Sequence, residues 1–181
     1  MHFMAFTIRT AEARDHDAAE AVARRAFAEY EHAYPGWTPL LREGKPMTEI
    51  AAEGELLVAE SGGRIVGCVG YIPPGRSRNP VFEGEWAALR FMAVDPDARG
   101  HGISRALAHE CIRRARRDGA AHLALFTSPA MEIAIAMYKR MGFRFVRRID
   151  PVYGMEAELY LLSTHEPLAA LRKGNPRTEC P

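Results

Sequence analysis

The stretch Phe91-Met92-Ala93-Val94-Asp95-Pro96-Asp97-Ala98-Arg99-Gly100-His101-Gly102-Ile103-Ser104 passes from an apolar strand through a glycine-rich loop into a helix. Its physics is that of an anion site. Glycines admit positive φ and let a ligand approach the backbone, and the first turn of the following helix presents unpaired N–H groups at the positive end of its dipole. Arg99, His101 and Arg105 add charge, and the Ser104 hydroxyl adds a donor. A Walker loop is excluded, because Gly102 is followed by Ile103 and Ser104 without the lysine such loops require. A dinucleotide fingerprint fits poorly: Arg105 stands where its third glycine belongs, and residues 95–98 separate strand from loop. A turn that merely reverses the chain is the plainer alternative.

Outward from this loop, strands and helices alternate. Upstream, Phe6–Thr10 reads as a strand, and Asp15 as the N-cap of a helix carrying Ala18, Ala21, Val22, Ala26 and Phe27 on one face. Residues 30–46 hold Tyr34-Pro35-Gly36-Trp37 and Gly44-Lys45-Pro46, a broken segment ahead of a short helix near Met47–Glu53. Leu56–Glu60 and Ile65–Tyr71 flank Ser61-Gly62-Gly63-Arg64 as a hairpin. Glu85–Val94 is a central strand, and an amphipathic helix from Ile103 ends at Gly119. Downstream come a strand at His122–Thr127, a helix at Met131–Met141 and closing strands at Phe143–Ile149 and Glu156–Leu162. This is an α/β or α+β single domain over 1–162, with a loosely held tail at 163–181.

The chain's 181 residues leave little room for a second domain. Lys plus Arg (24) nearly cancel Asp plus Glu (23), for a net charge of +1, which disfavours a general nucleic-acid or anionic-membrane binder. The apolar runs fall short of the ~20 residues a spanning helix needs, and the opening Met1–Phe6 lacks a basic leader, so a cytoplasmic protein is expected. Three distant cysteines, Cys68, Cys111 and Cys180, read as reduced thiols, and no Cys or His spacing suits a metal.

From Glu85 to Ile149 the chain resembles the GNAT superfamily of acyl-CoA N-acyltransferases. The resemblance rests on the strand ending Phe91-Met92-Ala93-Val94-Asp95-Pro96, on Arg99, Gly102 and Ser104 at the defined positions of a Q/R-x-x-G-x-G/A loop, and on Tyr138-Lys139-Arg140-Met141-Gly142-Phe143, which matches a Tyr-x-x-x-Gly-Phe signature. Ser104 replaces the usual Gly or Ala, and Met131 stands where many members carry an Asn. The resemblance implies a GNAT-like fold: a central mixed, mostly antiparallel twisted sheet of roughly six to seven strands flanked by about four helices. It implies acetyl-CoA as cosubstrate, its pantetheine arm lying where the strand ending at Val94 splays from His122–Thr127, with backbone groups of Met92, Ala93 and Val94 pairing with the pantetheine amides as a strand would. It also implies that Arg99, Gly100, His101, Gly102, Ile103 and Ser104 hold the pyrophosphate, mostly through backbone N–H groups.

The implied reaction is direct attack of a primary amine on the thioester. An alkyl amine with pKa near ~10.4 is almost wholly protonated at neutral pH, so a base or water path is needed. Several relatives place a base carboxylate where Glu85 stands, with Glu83 the weaker candidate; a solvated strand-end carboxylate is the plainer reading of Glu85. Tyr138 is the expected acid, since a phenol of pKa near ~10 can protonate a departing thiolate of pKa near ~8.5. Its spacing with Ala134 and Met141 equally suits core packing. Arg90 in a central strand requires a partner, either Glu85 or a substrate carboxylate. Arg113, Arg114, Arg116 and Arg117 read as a solvated face, one or two of which could reach the CoA 3′-phosphate.

The expected partners are a small-molecule amine or a protein amine acceptor, with no nucleic acid and no membrane; a homodimer is allowed. The mixed aromatic residues 30–37, with one acid, hint at a small or partly apolar amine. A catalytically silent CoA-binding sensor or interaction module is the alternative, and it is separated from the enzyme by whether Tyr138 and a carboxylate both line the cleft.

Overall fold

Gly62 and Gly63, at φ 55° and 74°, supply the left-handed pair that a two-residue turn between twisted strands requires. They join β2 (Glu55–Ser61) to β3 (Arg64–Ile72) in an antiparallel hairpin. The structure, a computed structural model, describes residues 4–33, 43–152 and 154–165. The expected aromatic segment around Tyr34 and Trp37, and the tail from 166 on, lie outside the described residues.

The other strands are β1 (Thr7–Thr10), β4 (Trp86–Val94), β5 (His122–Thr127), β6 (Arg144–Val152) and β7 (Met155–Ser163). They form one seven-stranded sheet in the order β1-β2-β3-β4-β5-β7-β6. Every adjacent pair is antiparallel except β4 with β5. The helices are α1 (His16–Phe27), α2 (Pro46–Glu53), α3 (Ile103–Arg117) and α4 (Glu132–Arg140). This is the mixed, mostly antiparallel sheet the motifs imply.

The buried side chains of β2 and β4 alternate between two core layers, which is what places helices on both sides. Leu57, Ala59, Ala87 and Leu89 join Ile103, Leu107, Cys111 and Ile112 of α3, together with Tyr138 of α4. Leu56, Val58 and Ala88 join Ala19, Val22 and Ala23 of α1 and Met47 and Ile50 of α2. The two layers clamp a strand pair that is only half joined.

Three local expectations change. Asp15 sits at the N-cap position of α1 but makes no capping bond; a 3₁₀ turn (Ala13–Asp15) precedes the helix. Its carboxylate instead accepts from Arg9 (2.6 and 3.0 Å) and from the Glu12 N–H (2.8 Å). Ser163 and Thr164, assigned to a loose tail, are held: Ser163 pairs with His122, and the buried Thr164 hydroxyl bonds the Ala120 and Ala121 carbonyls. Arg114, read as solvated, is 7% exposed and from the helix α3 clamps Glu55, Glu110 and Thr10.

Candidate active site

β4 and β5 run parallel and pair only from Trp86↔His122 to Ala88↔Ala124. Past that point no ladder joins them, and the strands open into a cleft. Its walls are Leu89, Arg90, Phe91 and Met92 of β4 and Leu125, Phe126 and Thr127 of β5, with Met131, Ala134 and Tyr138 on the α4 side. The cleft shares Phe27, Met92, Met131, Ala134 and Tyr138 with a larger groove of about 410 Å³ that runs to the glycine loop. That volume is of the size that takes a small ligand.

A β-bulge shapes the strand at this point. The register passes from Cys68↔Ala93 to Gly70↔Arg90, so Phe91 and Met92 together oppose one residue of β3. Phe91 adopts φ 50°, the one non-glycine positive φ among the described residues. The extra residue reverses the alternation beyond it: Ala88 and Phe91 face the α1 layer, while Met92 and Val94 face the α3 layer.

The loop after β4 is held by α1 as well as by its own bonds. Arg25 pairs with Asp95 (3.0 Å) and Asp97 (2.8 Å), and Asp95 accepts the Asp97 N–H in return. Arg99 donates to the Ala26 carbonyl (3.2 Å) and to Glu29 (2.8 Å), so much of its donor capacity is spent on the scaffold. Gly102 takes φ 81° at the N-cap of α3, makes no side-chain cap, and a Cβ added there would meet nothing within 4 Å. The first turn of α3 thus starts without a side-chain cap, beside open space at Gly102. Met92, Ala93, Val94, Arg99, Gly100, Gly102, Ile103 and Ser104 all line the groove, as do Arg105 and Arg140, whereas the His101 side chain is not in its lining. Arg140 was not legible beforehand, because only the packing of α4 brings its last turn to the loop.

Tyr138 lines both cleft and groove while packing edge-on against Phe143 at 5.5 Å. Its hydroxyl lies 3.9 Å from the Met92 sulfur. Burial raises its pKa well above the ordinary phenol value, so the group is neutral across the physiological range. Packing and cleft exposure thus coexist in one residue.

Glu85 is elsewhere. It is exposed just before β4, where β4 and β5 are still paired, and borders a different depression with Pro74, Gly75, Gly84, Gly119 and Ala121. Glu83 is exposed as well. Among the described residues no carboxylate or imidazole lines the cleft. Nor does Glu85 partner Arg90, whose nearest described carboxylate is Glu53 at 3.9 Å. Met131 presents its thioether to the cleft and receives a contact from the Thr127 hydroxyl at 3.3 Å. Arg116 and Arg117 bond the Thr164 carbonyl and the Glu55 and Asp118 carboxylates at the far end of α3, away from the loop. Among the described residues no three His, Cys, Asp or Glu side chains gather as a metal site would require, and no helix is long and apolar enough to cross a membrane.

Comparison with known proteins agrees with this geometry. Residues 15–143 match the Acetyltransferase (GNAT) family. A probable N-acetyltransferase family 8 member 5 of Mus musculus is 37% identical over 93 residues, which is 51% of this chain and 40% of that protein. A mycothiol acetyltransferase of Saccharomonospora viridis is 31% identical over 138 residues, 74% of this chain and 44% of that protein. The chain thus spans less than half the length of these relatives. The crystal structure of the ribosomal-protein-S18-alanine N-acetyltransferase from Escherichia coli superposes with a TM-score of 0.68 at 24% identity, over 90% of this chain and 96% of that one. With a family match across the strand, the loop and both helices that build the cleft, the chain belongs to the GNAT acetyltransferase family.

Proposed function

We propose that the protein moves an acetyl group from acetyl-CoA to a primary amine by direct attack of the amine on the thioester. The observation that carries this reading is the half-joined β4–β5 pair, which opens beside Tyr138 and leads into the groove at the α3 N-terminus. The residues present fit the cosubstrate. Beyond Ala88, β4 has no β5 ladder, so Met92 to Val94 can offer backbone groups to the two pantetheine amides. The uncapped first turn of α3, with Gly100 and Gly102 keeping side chains out of the way, suits a pyrophosphate. Arg105 and Arg140 add positive charge in the same groove.

When bound, the thioester supplies an activated acyl carbon and a thiolate leaving group. Tyr138 holds a proton on Oη and would deliver it to the sulfur as the carbon–nitrogen bond forms and the carbon–sulfur bond breaks; the amine loses its own proton to solvent, and solvent returns one to Oη. Burial keeps the phenol protonated at neutral pH, so what it offers there is a proton and not a phenolate base.

One observation favours the second reading, a CoA-binding module without catalysis: no described carboxylate lines the cleft to accept the amine proton. Thiol release from acetyl-CoA across a broad amine panel decides between them. Turnover on one acceptor class supports the enzyme. Tight CoA binding with no release from any amine supports the module.

A further inference from the structure

Arg90 stands in the wall of the cleft and has no part in the chemistry above. Its side chain is only 11% exposed. A guanidinium carries five N–H donors and is rarely buried without partners for them. Arg114, buried to the same degree, shows the usual solution, with donors to Glu55, Glu110 and Thr10. Arg90 does not follow it. Among the described residues, its contacts are Glu53 Oε2 at 3.9 Å, too long for a hydrogen bond, and the ring face of Phe91 at 5.4 Å. Glu53 is itself engaged, accepting the Arg78 N–H at 2.6 Å.

The bulge explains how such a group is presented. By placing Phe91 on the same side of the sheet as Ala88, it sets Arg90 and Phe91 side by side, and the aromatic face steadies the cation. Apart from the Thr127 and Tyr138 hydroxyls, the remaining walls, including Leu89, Phe126, Met131 and Met155, are apolar. Glu53 balances part of the charge from outside the lining. One cation whose donors meet no hydrogen-bond partner among the described residues, in a cleft otherwise apolar but for two hydroxyls, is suited to one planar monoanion. The phosphates of CoA are accounted for at the other end, in the loop groove where Arg99, Arg105 and Arg140 lie.

We propose that Arg90 binds a carboxylate of the acceptor, so that the substrate class is a compact amine bearing a carboxylate and an apolar remainder, as in an apolar amino acid. This rests on the acyl-transfer reading above. It makes Arg90 a specificity residue: it fixes the acid end of the acceptor and so directs the amine toward the acyl carbon.

The test compares apolar amino acids with their decarboxylated amines and their primary amides, measuring thiol release and correcting for the fraction of free amine. The wild-type protein should favour the acid of at least one set by about 10²-fold in kcat/KM, since a site built for a polar group discriminates against analogues lacking it. Arg90→Gln should erase most of that preference, and Arg90→Lys should restore part of it. CoA affinity, measured on each variant, reports whether it folds; should Arg90→Gln fail to bind CoA, the wild-type ratio and Arg90→Lys still decide. Amines and amides that match the acids in the wild type overturn the proposal while leaving acyl transfer intact. So does an equal loss on all members of a set in Arg90→Gln, which would make Arg90 a support for α2 through Glu53. Absence of thiol release from every compound overturns the proposal, and the acyl-transfer reading falls with it only if the broad amine panel is silent too while CoA still binds.

Discussion

Tyr138 is asked to do two jobs with one side chain. Its ring packs against Phe143, and its hydroxyl faces Met92 in the cleft. Replacement by Phe keeps the first and removes the second, so a packing residue would lose little, whereas an acid should lose roughly 10²–10⁴-fold in kcat. CoA affinity should change only slightly. The pH dependence carries a sign as well: burial raises the phenol pKa, so the proton stays on Oη to pH 10. The wild-type rate should therefore climb as the amine deprotonates, without a falling limb before about pH 10. A Phe variant with full turnover and the same profile would return Tyr138 to the core. Spacing to Gly142 and Phe143 made this residue legible in the sequence. Arg90 was legible as an anomaly but not in its surroundings, because its neighbour Glu53 lies far away in sequence, at the end of α2. Glu85 was misplaced for the same reason: its number puts it beside the start of the right strand, and only the pairing with β5 shows that this is the closed end.

At the scale of elements, turn chemistry and periodicity revealed most helices and strands, while their ends depended on partners. Asp15 has the residue type of an N-cap, yet Arg9 across the turn outcompetes the helix for it. The Arg9 hydrogen bonds hold the Asp15 carboxyl down to about 2, against 3.8 ordinarily. A depressed folded-state pKa means stability that is fully present above about pH 4 and is lost as pH falls through 2. We expect Asp15→Asn to cost on the order of 1–2 kcal/mol at neutral pH. In urea titrations at stepped pH, the gap between wild type and variant should narrow from pH 4 downward. A gap independent of pH would mean that Asp15 acts through shape and not charge. The bulge at Phe91 left no comparable mark: a β-favouring aromatic gives no hint that its φ will be positive.

At the scale of the whole molecule, the decisive feature is strand order. Local patterns indicated only an α/β or α+β domain, and the family resemblance implied the mixed sheet and the opening between the strand ending at Val94 and His122–Thr127; neither indicated that β7 inserts between β5 and β6, nor that β4 and β5 would be the one parallel pair. Those facts belong to contacts between residues far apart in the chain, which periodicity does not encode. The opening they create leads to a testable distribution of order. If acetyl-CoA completes the sheet at this gap, CoA should slow amide exchange in Leu89–Val94, in the loop 99–104 and at the start of α4. The β1–β2–β3 edge should stay unchanged, because its ladders are already closed. Gly102→Val should cancel the protection while the protein stays folded: an added Cβ meets no neighbour, but it projects from a backbone at φ 81° into the space the pyrophosphate needs. At a hundredfold excess over Kd, CoA should also stabilise the wild type by about 2.7 kcal/mol, and the Val variant by far less. Equal protection in both proteins would mean that ligand enters by another route. Protection spread evenly over the sheet would mean that the gap closes as a unit on binding, instead of receiving a strand-like arm.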